Sequence, residues 1–290
     1  MKTITTKSLY EAIIRLRGYD PATVTVAAGE QARIAEFINE RLTEIYEHFM
    51  WPEILLVEQR QYRATWDAAL LYAEGAEVYH VAADGVGYYY ESLQGANTNH
   101  DPDTETDWWA EVGDDFQRTI DFRQDGETEI GAVDLQNCIF EYDPRLYREK
   151  GRILEVEFYG EAILVNSDEA PTKPWVKFRP IPPTVSLTAW SADTDYAIGD
   201  VCYYASTGYS YKALAANSGK TPDSETDYWE PVDIPALFKR YLVHAVHSDY
   251  LLDPVERGKE LNQVAAILED LEEKQIDQQG VERKITFRTS

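Results

Sequence analysis

The strongest constraint on the fold is a phrase that occurs twice in the chain. Residues 102–112 read PDTETDWWAEV, and residues 222–232 read PDSETDYWEPV. Agreement of this extent, 120 residues apart, is typical of an internal duplication. The fold must therefore accommodate two copies of one structural unit.

The duplication extends well upstream of the repeated phrase. Four residues of the first copy recur 124 positions later, and the pairs are Trp66 and Trp190, Tyr72 and Tyr196, Gly75 and Gly199, and Tyr79 and Tyr203. The first copy then has three extra residues around ADGVG, as a surface turn tolerates. We call residues 65–112 the first repeat and residues 189–232 the second repeat.

Each repeat is predicted to be a small β structure. The segments AEVYHV and GYYYESL in the first repeat, and DVCYYA and YSYKALA in the second, are rich in β-favouring residues around glycine-bearing turns. They predict a hairpin or a three-stranded meander. A unit this small must take most of its core from its aromatic residues, and we assign the core to Trp66, Trp109, Trp190 and Trp229.

The pattern of the repeats resembles the small chitin- and cellulose-binding modules of bacterial chitinases and cellulases. It is carried by Trp190, Tyr196, Gly199, Asp200, Tyr203, Tyr211, Pro222 and Trp229, and the first repeat is parallel except for Ala76 in place of the aspartate. The resemblance implies a compact β fold and sugar binding through an exposed aromatic platform. Leu93 and Leu214 stand where family members often carry that aromatic residue. The candidate glycan contacts are instead Tyr88, Tyr89, Trp108, Tyr209 and Tyr228.

Charge separates the repeats from the remainder of the chain. The formal net charge is −25, which argues against a protein whose main surface grips nucleic-acid phosphates. The first repeat has ten acidic residues and no lysine or arginine, and the second has seven acidic residues and two lysines. The repeats therefore carry −15 of the charge, which predicts solvent-facing modules on a more balanced body.

The body comprises residues 1–64, 113–188 and 233–290 and is predicted to be one discontinuous α+β domain, with a small β-sheet and the two repeats as inserted all-β modules. Its first segment predicts a short helix ended by Gly18 and a long amphipathic helix ended near Pro52. The middle segment alternates like β-strands, and KPWVKFRPIPP is expected at a sheet edge or exit. Two helices follow, and VERKITFRTS is expected to be a basic, β-prone tail after Gly280.

No catalytic motif is found. The sequence lacks a nucleophile elbow, a P-loop, a dinucleotide fingerprint and an HExxH motif. His244 and His247 have the spacing of two metal ligands on a helix, but they have no second pair of ligands and a helix interface is the favoured interpretation. Cys138 and Cys202 are expected to be buried and match no metal-ligand spacing. We expect no enzymatic activity, no metal and no cofactor.

The body resembles the head-to-tail adaptor, or connector, proteins of tailed bacteriophages. The likeness rests on the long helix ending in HFMWPEI, the β segment ending in PWVKFRPIPP, and the helical YLVHAVHSDYLL before an acidic helix. It implies a homo-oligomeric ring, commonly of twelve copies, in the virion neck between the portal and a tail protein. It also implies a portal-docking arm, here Arg283, Lys284, Ile285, Phe287 and Arg288.

Further expectations follow from this resemblance and from charge. Double-stranded DNA would pass through an acidic ring without specific binding, because like charges repel. The start of the chain lacks the apolar core of a signal peptide, and no apolar run is long enough to span a membrane. We therefore expect assembly in the host cytoplasm. The alternative is a carbohydrate-binding adhesin, on a virion or cell surface, whose active parts are the repeats and whose ligand is a host glycan.

Overall fold

The protein is a mixed α+β structure that divides into two compact units. The computed structural model describes residues 2–49, 51–112, 118–121, 139–145, 154–159, 162–165 and 171–286. Unit 1 comprises residues 1–54 and 182–290, and unit 2 comprises residues 55–181. Each unit contains one repeat together with part of the predicted body, and the boundaries of an adaptor body with inserted modules stay predictions.

The regular elements are as follows. The helices are α1 (Thr6–Leu16), α2 (Ala28–His48), α3 (Lys239–Tyr250) and α4 (Pro254–Thr286). The strands are β1 (Thr3–Ile4), β2 (Leu56–Gln59), β3 (Glu77–Val81), β4 (Gly87–Ser92), β5 (Trp109–Glu111), β6 (Thr119–Asp121), β7 (Ile139–Phe140), β8 (Val156–Tyr159), β9 (Ala162–Val165), β10 (Trp175–Phe178), β11 (Asp195–Tyr196), β12 (Val201–Tyr204), β13 (Tyr209–Ala213), β14 (Asn217–Ser218), β15 (Trp229–Pro231) and β16 (Ile234–Pro235).

The first two helices confirm the predicted apolar periodicity and its stop signals. Thr5 caps α1 by accepting a hydrogen bond from the backbone N–H of Ser8, at 3.0 Å. Gly18 follows the helix with a φ of 85°, a conformation that glycine adopts without steric cost. Helix α2 ends at His48 and Pro52 begins a short 3-10 turn. The predicted apolar stripe of α2 includes Phe37 and Phe49, which are only partly buried. The buried residues of α2 are Ile34, Ala35, Ile38, Leu42, Ile45 and Tyr46.

The two C-terminal helices form an antiparallel hairpin. Three residues connect α3 to α4, and Asp253 Oδ1 accepts hydrogen bonds from the N–H groups of Val255 and Glu256. Helix α4 continues past Gly280 to Thr286, so the prediction of a β-prone tail after Gly280 is wrong for residues 281–286. One glycine costs a helix only about 1 kcal/mol. None of the described helices has the length and apolar composition that crossing a bilayer requires.

The helical core of unit 1 is closed by aromatic and ionic contacts. Trp51 is fully buried against Phe238, with ring centroids 5.5 Å apart, and its indole N–H donates to the carbonyl of Ile45. Arg41 on α2 holds Asp249 on α3 through two hydrogen bonds of 2.5 and 2.9 Å. These contacts place α3 antiparallel to α2, with α4 packed along α3.

Unit 2 is built from small antiparallel sheets. Strand β10 lies between β2 and β7, and β9 lies between β6 and β8. Within KPWVKFRPIPP the strand is Trp175–Phe178, which is central in this sheet and not an edge. The prolines follow it at its exit, which is the other position predicted. The buried core joins the described strands through Tyr62, Tyr79, Tyr89, Ile120, Ile139, Leu154, Ile163, Val165, Val176 and Phe178.

Candidate functional site

The two repeats have the same strand order. Strands β3, β4 and β5 form an antiparallel sheet in the first repeat, and β12, β13 and β15 form one in the second. A three-stranded meander is one of the two arrangements predicted. The structure thus preserves the duplication seen in the sequence, and equivalent positions can be compared directly.

One tryptophan per repeat forms the centre of its core. Trp109 and Trp229 are fully buried, and their indole N–H groups donate to the carbonyls of His100 and Lys220 at 2.8 and 2.9 Å. Trp66 and Trp190 are half-buried and pack at the borders of the same clusters. All four predicted core tryptophans therefore contact a repeat core, but with unequal burial.

Cys202 lies in the core of the second repeat and is predicted to be chemically inert. Burial raises the pKa of its thiol to about 12, so only about one thiol in 10⁴ is ionised at pH 8. In a Cys138→Ser background we expect dithionitrobenzoate to label Cys202 at least tenfold faster in urea than in native buffer. Equal labelling rates in both conditions would contradict this burial.

Each repeat also packs through the opposite face of its sheet, and both use the same cross-strand position. Tyr79 faces Tyr89 in the first repeat, and Tyr203 faces Ser210 in the second. Within unit 1 the Ser210 Oγ donates to the carbonyl of Ser186 at 2.7 Å, and the Ser210 N–H donates to Thr6 Oγ1 at 3.0 Å. This docking position is therefore shared by both repeats, although tyrosine occupies it in one and serine in the other.

Tyr89 docks the first repeat within unit 2. Its hydroxyl accepts from the N–H of Tyr62 at 3.0 Å and donates to the carbonyl of Thr172 at 2.8 Å. Burial raises the pKa of Tyr89 above its ordinary value, which keeps the phenol neutral and able to donate. Only 5% of the residue is exposed. The prediction that Tyr89 contacts a glycan is therefore wrong, since a buried ring offers no platform.

We expect Tyr89→Phe to lower the free energy of unfolding of unit 2 by about 1–3 kcal/mol, because it leaves two backbone groups without their partner. Urea denaturation followed by circular dichroism measures the change. Tyr88→Phe is the control, since the Tyr88 hydroxyl lies at the surface and donates only to Asp84 at 3.2 Å. Equal destabilisation by the two variants would contradict the docking role.

Each repeat carries one further arrangement of a nitrogen-bearing side chain, an aromatic ring and a carboxylate, which we call the nitrogen–ring–carboxylate cluster. In the first repeat His100 stacks on Trp108, with centroids 3.8 Å apart and planes 9° apart, and its Nδ1 lies 2.6 Å from Glu105. The second repeat has its counterparts at an offset of 120. They are Lys220, whose Nζ lies 4.8 Å from the ring centroid of Tyr228 and 3.9 Å from Glu225.

The remaining candidate glycan contacts are partly exposed, but none is a free platform. Tyr88, Trp108, Tyr209 and Tyr228 are all half-buried and pack against the core of their repeat. Leu93 and Leu214, at the positions where the resembled modules carry an aromatic residue, are 45% and 43% exposed. The sequence pattern missed His100 and Lys220, although their alignment at the common offset was a usable signal.

The two histidines of α3 lie at a helix interface. His244 Nδ1 and His247 Nδ1 lie 2.6 and 3.3 Å from the same Glu260 oxygen on α4. Among the described residues, no group of three or more histidine, cysteine, aspartate or glutamate side chains is arranged to hold a metal ion. The pair therefore joins α3 to α4.

The candidate portal-docking arm lies at the end of α4. Arg283, Lys284 and Ile285 belong to the described helix, whereas Phe287 and Arg288 lie outside the described residues. Cys138 lies outside them as well.

No protein-family model, no curated protein and no solved structure matches this chain.

Proposed function

We propose that the protein is a structural, non-enzymatic virion component, a ring-forming adaptor that joins the portal of a phage head to the tail. The proposal starts from the sequence resemblance of the body to head-to-tail adaptors. The mixed α+β fold, with a bundled helical core in unit 1, supports it. In this proposal the repeats are carbohydrate-binding-like modules inserted into the adaptor body and facing outward.

The observation that carries the proposal is how the chain runs into and out of each repeat. Trp66 N–H donates to the carbonyl of Tyr79, and Val112 N–H donates to that of Tyr89, both at 2.8 Å. Since Tyr79 and Tyr89 are cross-strand neighbours, the incoming and outgoing segments are only about 14 Å apart at ordinary strand spacing.

The second repeat has the same arrangement. Trp190 N–H donates to the carbonyl of Tyr203 and Val232 N–H to that of Ser210, again at 2.8 Å. Segments that enter and leave a unit only a few strand spacings apart are what insertion into an existing fold requires. This geometry supports the proposal that the repeats are added modules, which leaves the assembly function to the body.

The negative charge of the chain suits the passage of DNA through the proposed ring. A wall with a surplus of carboxylates repels phosphates, so the duplex can slide through a ring of about twelve copies without sticking. The candidate arm differs from the acidic chain as a whole because it contains three basic residues, Arg283, Lys284 and Arg288. In the proposal they dock to the portal, while another surface receives the downstream tail protein.

The docking role is tested by a chain ending at Gly280. We expect it to keep helices α1, α2 and α3 folded, and to lose co-purification with the portal protein of the same virus. A matched variant, Arg283→Glu with Lys284→Glu, keeps the length and tests the charge. Normal portal binding by both variants would show that the arm is assigned wrongly.

A second candidate function, a glycan-binding adhesin of the virion or cell surface, is favoured by one observation. The nitrogen–ring–carboxylate cluster occurs in both repeats at equivalent positions, although the residues differ. Ring faces and carboxylates are the groups with which proteins hold sugars by stacking and hydrogen bonding. Retention on insoluble chitin, cellulose or a host glycan, lost in Trp108→Ala with Tyr228→Ala but not in Tyr89→Phe, would support the adhesin. No retention on any of them would contradict it.

A further inference from the structure

An open groove runs along α2 in unit 1. The Asn39 side chain donates to the carbonyl of Val185 at 3.0 Å and accepts from its N–H at 2.8 Å, which fixes residues 185–188 alongside the helix. The groove between them has a volume of about 530 Å³. Its lining includes the buried apolar residues Ala35, Val185 and Leu187.

Two exposed carboxylates on α2 line this groove, and neither is paired with a basic side chain among the described residues. Glu36 and Glu40 form no ion pair within the described part of the chain, whereas their helix neighbours Glu30 and Glu44 bind Arg17 and Arg41. Glu36 and Glu40 are also four residues apart on one helix face, where like charges destabilise each other. The groove is therefore complementary to a ligand with an apolar surface and a positive charge.

The tip of the α3–α4 hairpin has those two properties. Leu252 is 98% exposed and Val255 is 65% exposed. Arg257 lies in the first turn of α4, is exposed and forms no ion pair within the residues described. The tip is held in shape by the capping bonds of Asp253, so its apolar side chains are presented by an ordered backbone. We call Leu252, Val255 and Arg257 the hairpin tip.

The hairpin tip leaves the groove of its own copy uncovered, since Leu252 is 98% exposed. Helix α2 contacts α3 through Phe37 and Arg41, which touch Tyr250 and Asp249 just before the tip. At about 100° per residue, Glu36 and Glu40 lie about 100° from those positions on the helix. The face of α2 that lines the groove is therefore not the face that meets the end of α3, where the tip begins.

We propose that the hairpin tip of one copy docks into the α2 groove of the next copy. Leu252 and Val255 cover the apolar lining, and Arg257 pairs with Glu36 and Glu40. Two different patches that join head to tail form a heterologous contact, which closes into a ring when the rotation between copies permits. This inference rests on the proposed ring and specifies its interface.

The first test is a charge swap in the full chain, with the assembly constant measured by sedimentation velocity. Arg257→Glu alone, and Glu36→Arg with Glu40→Arg, are each expected to weaken assembly at least tenfold. Combining all three substitutions is expected to restore it at least partly. Combined substitutions that assemble no better than either set alone would overturn the proposed pairing.

The second test separates the apolar contact from folding. Leu252→Ser is expected to weaken assembly at least tenfold with an unchanged melting temperature, because the side chain is almost fully exposed. Leu71→Ser, at a 70% exposed position in the first repeat, is the matched control and is expected to assemble normally.

In a Cys138→Ser background, Leu252→Cys with Glu40→Cys is expected to yield covalent multimers on oxidation.

The outcomes distinguish this interface from the proposed function. If the unaltered chain forms a ring that Leu252→Ser and the charge reversals leave intact, the interface lies elsewhere and the ring proposal stands. If the unaltered chain remains monomeric at tens of micromolar, both the ring and this interface are wrong. Multimers held by contacts between equivalent patches would likewise overturn the head-to-tail arrangement.

Discussion

Replacing Trp229 with alanine is expected to destabilise the second repeat by about 3–5 kcal/mol, the cost of removing a fully buried indole from a well-packed core. Trp229 packs edge-on against Tyr196, with centroids 5.0 Å apart, and its N–H is bonded to the carbonyl of Lys220. Besides Trp229, the large buried side chains of this core are Tyr196 and Tyr211. Native-state hydrogen exchange should show fast exchange across 195–218, while the helices of unit 1 retain their protection.

Trp109→Ala is the matched variant in the first repeat. It should accelerate exchange across 72–92 and leave the second repeat unchanged, since Trp109 holds the equivalent position against Tyr72. Leu214→Ala is the control, and its exposed side chain predicts a change within about 0.5 kcal/mol. Loss of protection throughout unit 1 in Trp229→Ala would contradict separate repeat cores.

The second large effect is expected from Trp51→Ala. Trp51 is fully buried between Phe49 and Phe238 and donates a hydrogen bond to the carbonyl of Ile45 at 2.6 Å. Its loss opens a cavity at the junction of α2 and α3 and leaves that carbonyl unpaired. We expect a cost of about 3–5 kcal/mol, a large part of the 5–15 kcal/mol that stabilises a typical domain.

The consequence should be confined to the helical core of unit 1. Urea denaturation followed at 222 nm should show an earlier loss of helix, and hydrogen exchange should increase in α1, α2 and α3. Val24→Ala, at a partly exposed position before α2, is the control with little expected change. Unchanged helix stability in Trp51→Ala would contradict the packing of this core.

The helices could be predicted from the sequence because local signals agree there. Threonine at the start of α1, Gly18 at its end and the apolar stripe of α2 all favour the same structure. The end of α4 could not be predicted in this way, because a glycine such as Gly280 is typical of the position that follows a helix. The residues after it, Glu282, Arg283 and Lys284, are good helix formers that offset one glycine.

The three consecutive tyrosines of β4 show the limit of pattern reading in strands. Alternation places Tyr88 and Tyr90 on one face and Tyr89 on the other, but it does not say which face is covered. Both faces are covered in the structure, since Tyr90 joins the core around Trp109 and Tyr89 docks within unit 2. The prediction of a glycan contact at Tyr89 is wrong for this reason.

Contacts between distant parts of the chain were beyond sequence reasoning. The bonds of Asn39 to Val185 and of Thr6 to Ser210 join segments 146 and 204 residues apart. Neither polar side chain has a local feature that identifies its partner. The groove on α2 depends on the first of these contacts, so it could be recognised only after the fold was known.

The most direct test of the adaptor assignment is the mass of the purified native protein in solution. A ring of twelve 33.2 kDa chains has a mass of about 400 kDa. Native mass spectrometry across a range of concentrations is predicted to find one large closed species near that mass or another ring multiple. A single species of one chain, at every concentration tested and with the portal protein present, would contradict the ring-forming adaptor.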